Sequence, residues 1–106
     1  MARTLLRVPA SAAPGEVVEI RTLIQHPMET GFRSGENGRM LERDLIRRFI
    51  CLYNNRLVFE AELHPAIAAN PYLTFTIRAE ESGILAFTWE GDHGFSQTET
   101  RALTVT

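Results

Sequence analysis

The chain has 106 residues, which is the size of a single domain. Apolar residues make up 44% and charged residues 23% of it, an ordinary globular composition that excludes a wholly disordered chain. The formal net charge of -2 argues against a nucleic-acid-binding protein, because such a protein needs a basic face. No stretch approaches the ~20 consecutive apolar residues of a membrane helix, so no membrane association is expected.

Most of the chain alternates apolar and polar residues with a period of two, which predicts β-strands. In chain order, strands are predicted over 4–8, 16–25, 45–53, 56–63, 72–79, 84–90 and 95–105. In the fourth of these, Leu57 and Phe59 are predicted to share one face. Asn54 and Asn55 lie just before it and tolerate the positive φ of a tight hairpin turn. The last strand is largely polar, which suits a solvated sheet edge.

About seven short strands with turn signals between them, and no helix of normal length, indicate an all-β chain. The pattern is that of an immunoglobulin-like antiparallel β-sandwich. We interpret 1–106 as one domain with a single irregular connection, a long loop over 26–44. Loops longer than ~12–15 residues in a compact domain are usually functional or disordered, so this loop is the first candidate for function.

Cys51 is the one cysteine, and it lies in a predicted strand between Ile50 and Leu52. A cysteine in that position behaves as a small hydrophobic residue, so we expect it to be buried. The alternative is a metal-binding or redox β-sandwich that uses His26, His64 and Cys51. These residues lack the short spacing of metal-ligand motifs, so neither a metal nor a cofactor is predicted. No nucleophile elbow or phosphate-binding loop points to a catalytic residue.

Four blocks of the chain resemble, in the same order, the SoxZ family of the bacterial sulfur-oxidation (Sox) system. They are HPMETG at 26–31, DLIRRFICLYNN at 44–55, AELHPAIAANPYLTFTIRA at 61–79 and FTWEGDHGFSQTET at 87–100. The resemblance runs from about Val17 to Val105, which is nearly the full chain.

The resemblance implies a non-catalytic subunit that forms a heterodimer with the sulfur carrier SoxY. In that family, SoxY presents a cysteine on a flexible, glycine-rich C-terminal arm. SoxZ helps to present the cysteine-bound intermediates of thiosulfate oxidation to the other Sox enzymes. The chain ends RALTVT, without such an arm, and is therefore expected to be the partner of the carrier. Without SoxY, a homodimer is expected, because the surface meant for SoxY would be exposed.

The resemblance also implies a periplasmic protein. The apolar run near the N-terminus is only Leu5-Leu6 before Arg7 interrupts it, against the ~7–15 residues of a signal peptide's apolar region. We therefore expect export together with SoxY, which carries the export signal in this family.

The start of the long loop is predicted to be a partner-recognition element. Its residues are His26, Pro27, Met28, Glu29, Thr30 and Gly31. His26-Pro27 is expected to end a strand, and Gly31 to permit a turn that a side chain would hinder. Met28 is expected to be an exposed, adaptable contact. Replacing Met28 and Glu29 with alanine is then expected to weaken carrier function while leaving the fold intact.

Overall fold

A computed structural model describes residues 2–32, 34, 35, 38–64, 67 and 69–106 of the chain. Seven of its β-strands coincide with the predicted ones, and the eighth is a two-residue strand near the N-terminus. The strands are β1 (Thr4–Arg7), β2 (Ser11–Ala12), β3 (Val17–Ile24), β4 (Ile46–Tyr53), β5 (Arg56–Glu62), β6 (Tyr72–Arg78), β7 (Gly83–Gly91) and β8 (Ser96–Val105).

The strands form two sheets that pack face to face. The smaller sheet has the order β1-β3-β6, and the larger has the order β2-β8-β7-β4-β5. Every pair is antiparallel except β2 with β8, which run parallel. This architecture confirms the predicted immunoglobulin-like sandwich. Strand β2 reaches only the last two residues of β8, so β8 is the sheet edge over most of its length. Within the described residues, no helix has the length and apolar composition to cross a membrane.

The core lies between the sheets and is built largely from aromatic side chains. Phe49, Phe87 and Trp89 of the larger sheet are buried, and the ring of Phe49 lies 5.2 Å from that of Trp89. Phe75 of the smaller sheet contacts Phe49 at 5.9 Å and stacks on Phe59 at 4.2 Å. Burying a side chain of this size contributes about 1.5–3 kcal/mol, so this cluster holds the two sheets together.

The β4–β5 hairpin confirms one local prediction and corrects another. Asn54 and Asn55 both have positive φ, at 50° and 68°, as a two-residue hairpin turn requires. The register then shifts, because Cys51 pairs with Phe59 while Leu52 pairs with Leu57. The extra residue in β5 changes the side-chain phase. Leu57 therefore faces solvent, and the prediction that it shares a face with Phe59 is wrong.

Candidate partner-recognition surfaces

The inward-facing row of β3 continues past the end of the strand. Alternate residues from Val18 to Ile24 are buried, and the same phase makes His26 and Met28 buried as well. Met28 is only 5% exposed, so the prediction of an exposed contact at this position is wrong. Pro27 removes a backbone donor, but it does not change the two-residue period of the side chains.

His26 is committed to hydrogen bonds and packing at the start of the loop. Its Nδ1 accepts the N–H of Met28 at 3.1 Å, and its Nε2 lies 3.5 Å from Oδ1 of Asp44. Its backbone exchanges hydrogen bonds with Asn70, and its ring meets the edge of Phe95. An Nδ1 that accepts carries no proton, so the proton lies on Nε2, facing the carboxylate. Both ring nitrogens are thus occupied, which leaves neither for a metal or a substrate.

Met28 fixes the point where the loop passes from one sheet to the other. Its backbone has a φ of 52°, which non-glycine residues seldom adopt. Its sulfur accepts the N–H of Ile46, the first residue of β4, at 3.4 Å. Met28 is therefore part of the core, and its contacts fix the position at which the loop begins.

Beyond Met28 the loop folds back on itself as a hairpin, which we call the arm (29–44). Glu29 and Asp44 exchange two backbone hydrogen bonds of 2.8 Å, and Ser34 forms a bridge with Met40. Gly31 has a φ of 89°, and a Cβ there would lie 3.3 Å from the Cβ of Arg43. The expectation that Gly31 allows a turn is thereby confirmed. A recognition role for residues 26–31 stays a prediction.

A largely buried carboxylate, that of Asp92, pins the returning strand of the arm to the sandwich. Arg43 donates to it from Nε and Nη2 at 3.0 and 3.1 Å, and the N–H of Leu45 donates at 3.0 Å. Burial acts to raise the pKa of Asp92, but the Leu45 N–H and the guanidinium groups of Arg43 and Arg47 together lower it. Nearby, Gly91 has no side chain, and a Cβ there would clash with the carbonyl oxygen of Leu45.

His93 makes a second contact to the same strand of the arm. Its Nε2 lies 2.8 Å from the carbonyl oxygen of Arg43 and 3.8 Å from a carboxylate oxygen of Glu42. The hydrogen bond to that carbonyl, followed by the charge of Glu42, raises the pKa of His93. The side chain is exposed, so it stabilises the base of the arm from the solvent side.

The arm exposes apolar side chains that sequence reasoning did not single out. Phe32 is 84% exposed, and Met40 is also exposed. An aromatic residue in an otherwise polar and glycine-rich stretch is the sequence signal that could have identified Phe32. Exposed aromatic and methionine side chains are enriched at protein interfaces, so these residues are better candidates for contact than Met28.

The alternative metal or redox site finds no support in the described part of the chain. Cys51 is 0% exposed, and burial raises the pKa of its thiol to about 12. His64 is exposed, whereas His26 is buried among its hydrogen-bond partners. The described residues contain no group of three or more histidine, cysteine or acidic side chains placed to hold a metal ion. The expected burial of Cys51 is confirmed.

The larger sheet presents a broad uncharged surface to solvent, which we call the outer face. Its side chains lie opposite the buried row of Phe49, Phe87 and Trp89, and strand pairing aligns them across four strands. The outer face consists of Ile50, Leu52, Leu57, Ile84, Ala86, Thr88, Thr98, Thr100 and Ala102. Charged residues are gathered at one end of this side of the sheet, where Arg48 bonds to Glu60 and Glu90 and pairs with Glu62; Glu60 lies directly across from Ile50.

The smaller sheet has a narrower apolar row on its solvent side. Leu5, Leu23 and Tyr72 are paired across its three strands. Arg7 and Arg21 follow directly on the next row, so the apolar area is limited by charge. Of the two sheets, the larger therefore offers the more extensive neutral surface.

Comparison with known proteins identifies the family. A family model described as sulphur oxidation protein SoxZ matches residues 6–102. A comparison with curated protein sequences gave no significant match. Among solved structures, superoxide reductase (neelaredoxin) from Ignicoccus hospitalis is similar with a TM-score of 0.75 and 15% identity, over 99% of this chain and 82% of that one. The sulfur carrier protein SoxY from Chlorobium limicola f thiosulfatophilum is similar with a TM-score of 0.68 and 14% identity, over 97% and 78%.

The two structural likenesses establish a shared fold, since both identities are low. The family match covers most of the chain and agrees with the four sequence blocks. The chain therefore belongs to the SoxZ family of sulphur oxidation proteins.

Proposed function

We propose that this chain pairs with a SoxY sulfur carrier through the outer face of its larger sheet and acts by binding. The observation that carries the proposal is the neutral outer face, which is uncovered by any described element and bounded by charge at one rim. Interfaces have this arrangement of a neutral centre and a polar rim. The family membership supplies the identity of the partner.

The energetics favour covering this surface. Leu57 and Ile84 are each about half exposed, so covering them contributes roughly half of the ~1.5–3 kcal/mol that full burial of such side chains gives. Thr88 and Thr98 already bond to each other at 2.8 Å, so burying them leaves fewer unpaired hydroxyl groups. A stable pair should bury ~1,200 Å² or more in total.

A charge placed within the outer face tests this pairing. We expect Ile84→Glu to keep the fold, because Ile84 is 50% exposed, but to abolish co-purification with SoxY, because the new carboxylate would be buried without a partner. The measurement is size-exclusion chromatography of the mixed proteins with light scattering, after circular dichroism has shown that the variant is folded.

Leu5→Glu is the matched control, since Leu5 is 58% exposed on the smaller sheet. It should pair with SoxY like the unmodified chain. Loss of pairing in Leu5→Glu with retention in Ile84→Glu would assign the interface to the smaller sheet and overturn the proposal.

We further propose that the arm recognises the Sox enzymes that act on the carrier. Phe32 and Met40 support this role, because they are exposed on a hairpin held to the sandwich by Asp92 and Met28. A rigid support lowers the entropy cost of an exposed contact. Phe32→Ala should leave SoxY pairing and stability unchanged and slow thiosulfate oxidation in the reconstituted system. Unchanged turnover in that variant would contradict the role.

The periplasm is the proposed site of action, reached by export in complex with SoxY. Support comes from the family alone. Fractionation of cells with and without SoxY tests it: the chain should appear in the periplasmic fraction only when SoxY is present.

A further inference from the structure

A groove at the base of the arm adjoins the charged rim of the outer face, because Arg48 belongs to both, and it lies away from the tip of the arm. It has a cavity volume of about 480 Å³ and is lined where the arm enters β4 and where β5 ends. Its lining residues are Arg43, Leu45, Arg47, Arg48, Glu62, Leu63 and His64. A volume of this size is within the range of small-ligand clefts, at ~300–1,000 Å³.

The arginines of the groove differ in how far their donors are already used. Arg48 is committed, since it bonds to Glu60 and Glu90. Arg43 uses one edge of its guanidinium on Asp92 and keeps its remaining donors. Within the described residues, the side chain of Arg47 has only an ion pair at 3.7 Å to Asp92, a distance too long for a hydrogen bond.

Arg47 is aimed outwards by an irregularity in β4. The register to β7 shifts between Ile46, which pairs with Gly91, and Arg48, which pairs with Glu90. Arg47 is the extra residue of this bulge, and its side chain is 64% exposed. Bulges are features that re-aim side chains and are frequent next to functional sites. Here the bulge sets Arg47 on the same side as Arg43.

The rest of the groove adds donors and apolar walls. His64 is exposed, and its ring makes no hydrogen bond to any residue that the structure describes. Leu45 and Leu63 are buried and form the apolar part of the lining. Glu62 is the one acidic lining residue, and it opposes the positive charge.

We infer that this groove binds a sulfur oxyanion, with Arg47 and Arg43 as its main donors. Guanidinium groups bind planar and tetrahedral oxyanions through paired N–H···O bonds, which are among the stronger hydrogen bonds in proteins. The apolar walls favour an anion with one weakly hydrated end, so thiosulfate should bind more tightly than sulfate. The site is a property of the isolated chain and does not depend on the pairing with SoxY.

An anion titration of the isolated, ¹⁵N-labelled chain tests the inference. Thiosulfate, sulfate and acetate are each added in exchange for chloride at constant ionic strength, and the amides of residues 43–48 and 62–64 are followed by NMR. We expect saturable shifts at these residues, with thiosulfate the tightest of the three. Shifts that grow linearly without saturation, or acetate binding as tightly as thiosulfate, would overturn the inference.

Three charge variants make the test specific. Arg47→Gln should weaken thiosulfate binding by roughly tenfold, since it removes a charged donor pair. Arg7→Gln is the matched control, because Arg7 is an exposed arginine on the smaller sheet away from the groove, and it should bind like the unmodified chain. Glu62→Gln should tighten binding, because it removes the opposing charge. Equal weakening in Arg7→Gln and Arg47→Gln would show a response to net charge alone and would refute the site.

Discussion

Single residues at the start of the arm are specialised for support. Met28 adopts a left-handed backbone conformation, and its sulfur accepts a hydrogen bond from the N–H of Ile46. The ring of His26 accepts the N–H of Met28 at Nδ1 and faces the carboxylate of Asp44 with Nε2. A residue with strained backbone geometry persists only where its surroundings over-determine it. These side chains therefore hold the arm in place, and we propose that residues farther out make the contact with a partner.

Met28→Ala is expected to destabilise the protein by about 2–3 kcal/mol, because it removes a buried side chain and leaves a cavity. The melting temperature should fall by roughly 10 °C in a domain of this size. Phe32→Ala serves as the control, since its side chain is already in solvent and its melting temperature should hardly change. An unchanged melting temperature in Met28→Ala would contradict the buried role. The same expectation corrects the idea that Met28 can be removed without affecting the fold.

Cys51 should be inert to thiol reagents in the folded protein at pH 8, because only the thiolate reacts and its pKa is raised to about 12 by burial. Iodoacetamide labelling followed by mass spectrometry should show modification only on unfolding. Labelling of the native chain as fast as of the unfolded one would contradict this.

The same pKa has a consequence for stability at alkaline pH. The unfolded thiol has an ordinary pKa near ~8.5, below the folded value, so the folded state binds the proton more tightly. The contribution of Cys51 to stability is therefore complete below pH ~8.5 and is lost progressively as the pH rises towards 12. Melting curves of the protein and of Cys51→Ala should converge over that interval.

At the scale of elements, the arm is joined to the sandwich by its two ends and by the turn after β7. The carboxylate of Asp92 in that turn accepts hydrogen bonds from the Arg43 side chain and from the N–H of Leu45. Gly91, which has no side chain, leaves room for the carbonyl group of Leu45. These contacts connect the arm to the β4–β7 pair, whose inward side chains form much of the aromatic core. Displacement of the arm therefore requires breaking hydrogen bonds to a carboxylate, which are stronger than neutral ones.

Asp92→Asn should loosen the arm and reduce the acid sensitivity of the protein. The pKa of Asp92 is lowered in the folded state, so its contribution is present above the unfolded value near ~3.9 and is lost as the pH falls below it. The variant lacks this contribution, and its melting temperature should fall less between pH ~6 and ~3. Hydrogen exchange should also become faster at the bridging amides of Glu29 and Asp44.

Glu19→Gln is the control for that experiment. Glu19 pairs with Arg21 on the exposed side of β3, far along the chain from the arm, and the same charge is removed. Faster exchange at Glu29 and Asp44 in Glu19→Gln as well would mean that the effect is one of net charge and not of the contact at Asp92.

At the scale of the whole molecule, the chain is elongated. Its Cα radius of gyration is 16.1 Å, against ~13 Å for a compact domain of about 100 residues, and its extents are 58 × 20 × 20 Å. An elongated sandwich has a large exposed surface area relative to the size of its core, and the outer face adds apolar area to that exposed surface. A shape of this kind favours association through a flat side.

We therefore expect the isolated chain to self-associate through the outer face. Sedimentation velocity should show an apparent mass that rises above the 12.0 kDa monomer with concentration, and Ile84→Glu should remain monomeric. Adding SoxY should replace the homodimer by the heterodimer, because we propose the same surface for both. A monomer at all concentrations, with SoxY pairing intact, would contradict self-association and would show that the outer face pairs with SoxY but not with itself.

The sequence by itself determined the strand pattern, the Asn54-Asn55 turn, the burial of Cys51 and the family, because alternation, turn chemistry and ordered motifs are local properties of the chain. Tertiary structure decided which side of the loop faces the core. The phase of β3 carries through Pro27, so Met28 is buried, whereas Phe32 lies farther out on the arm and is exposed. It also decided the meeting of Arg43 with Asp92 and the bulge at Arg47, since these depend on register between strands distant in sequence. Such pairings are set by the packing of two sheets, which no local pattern encodes.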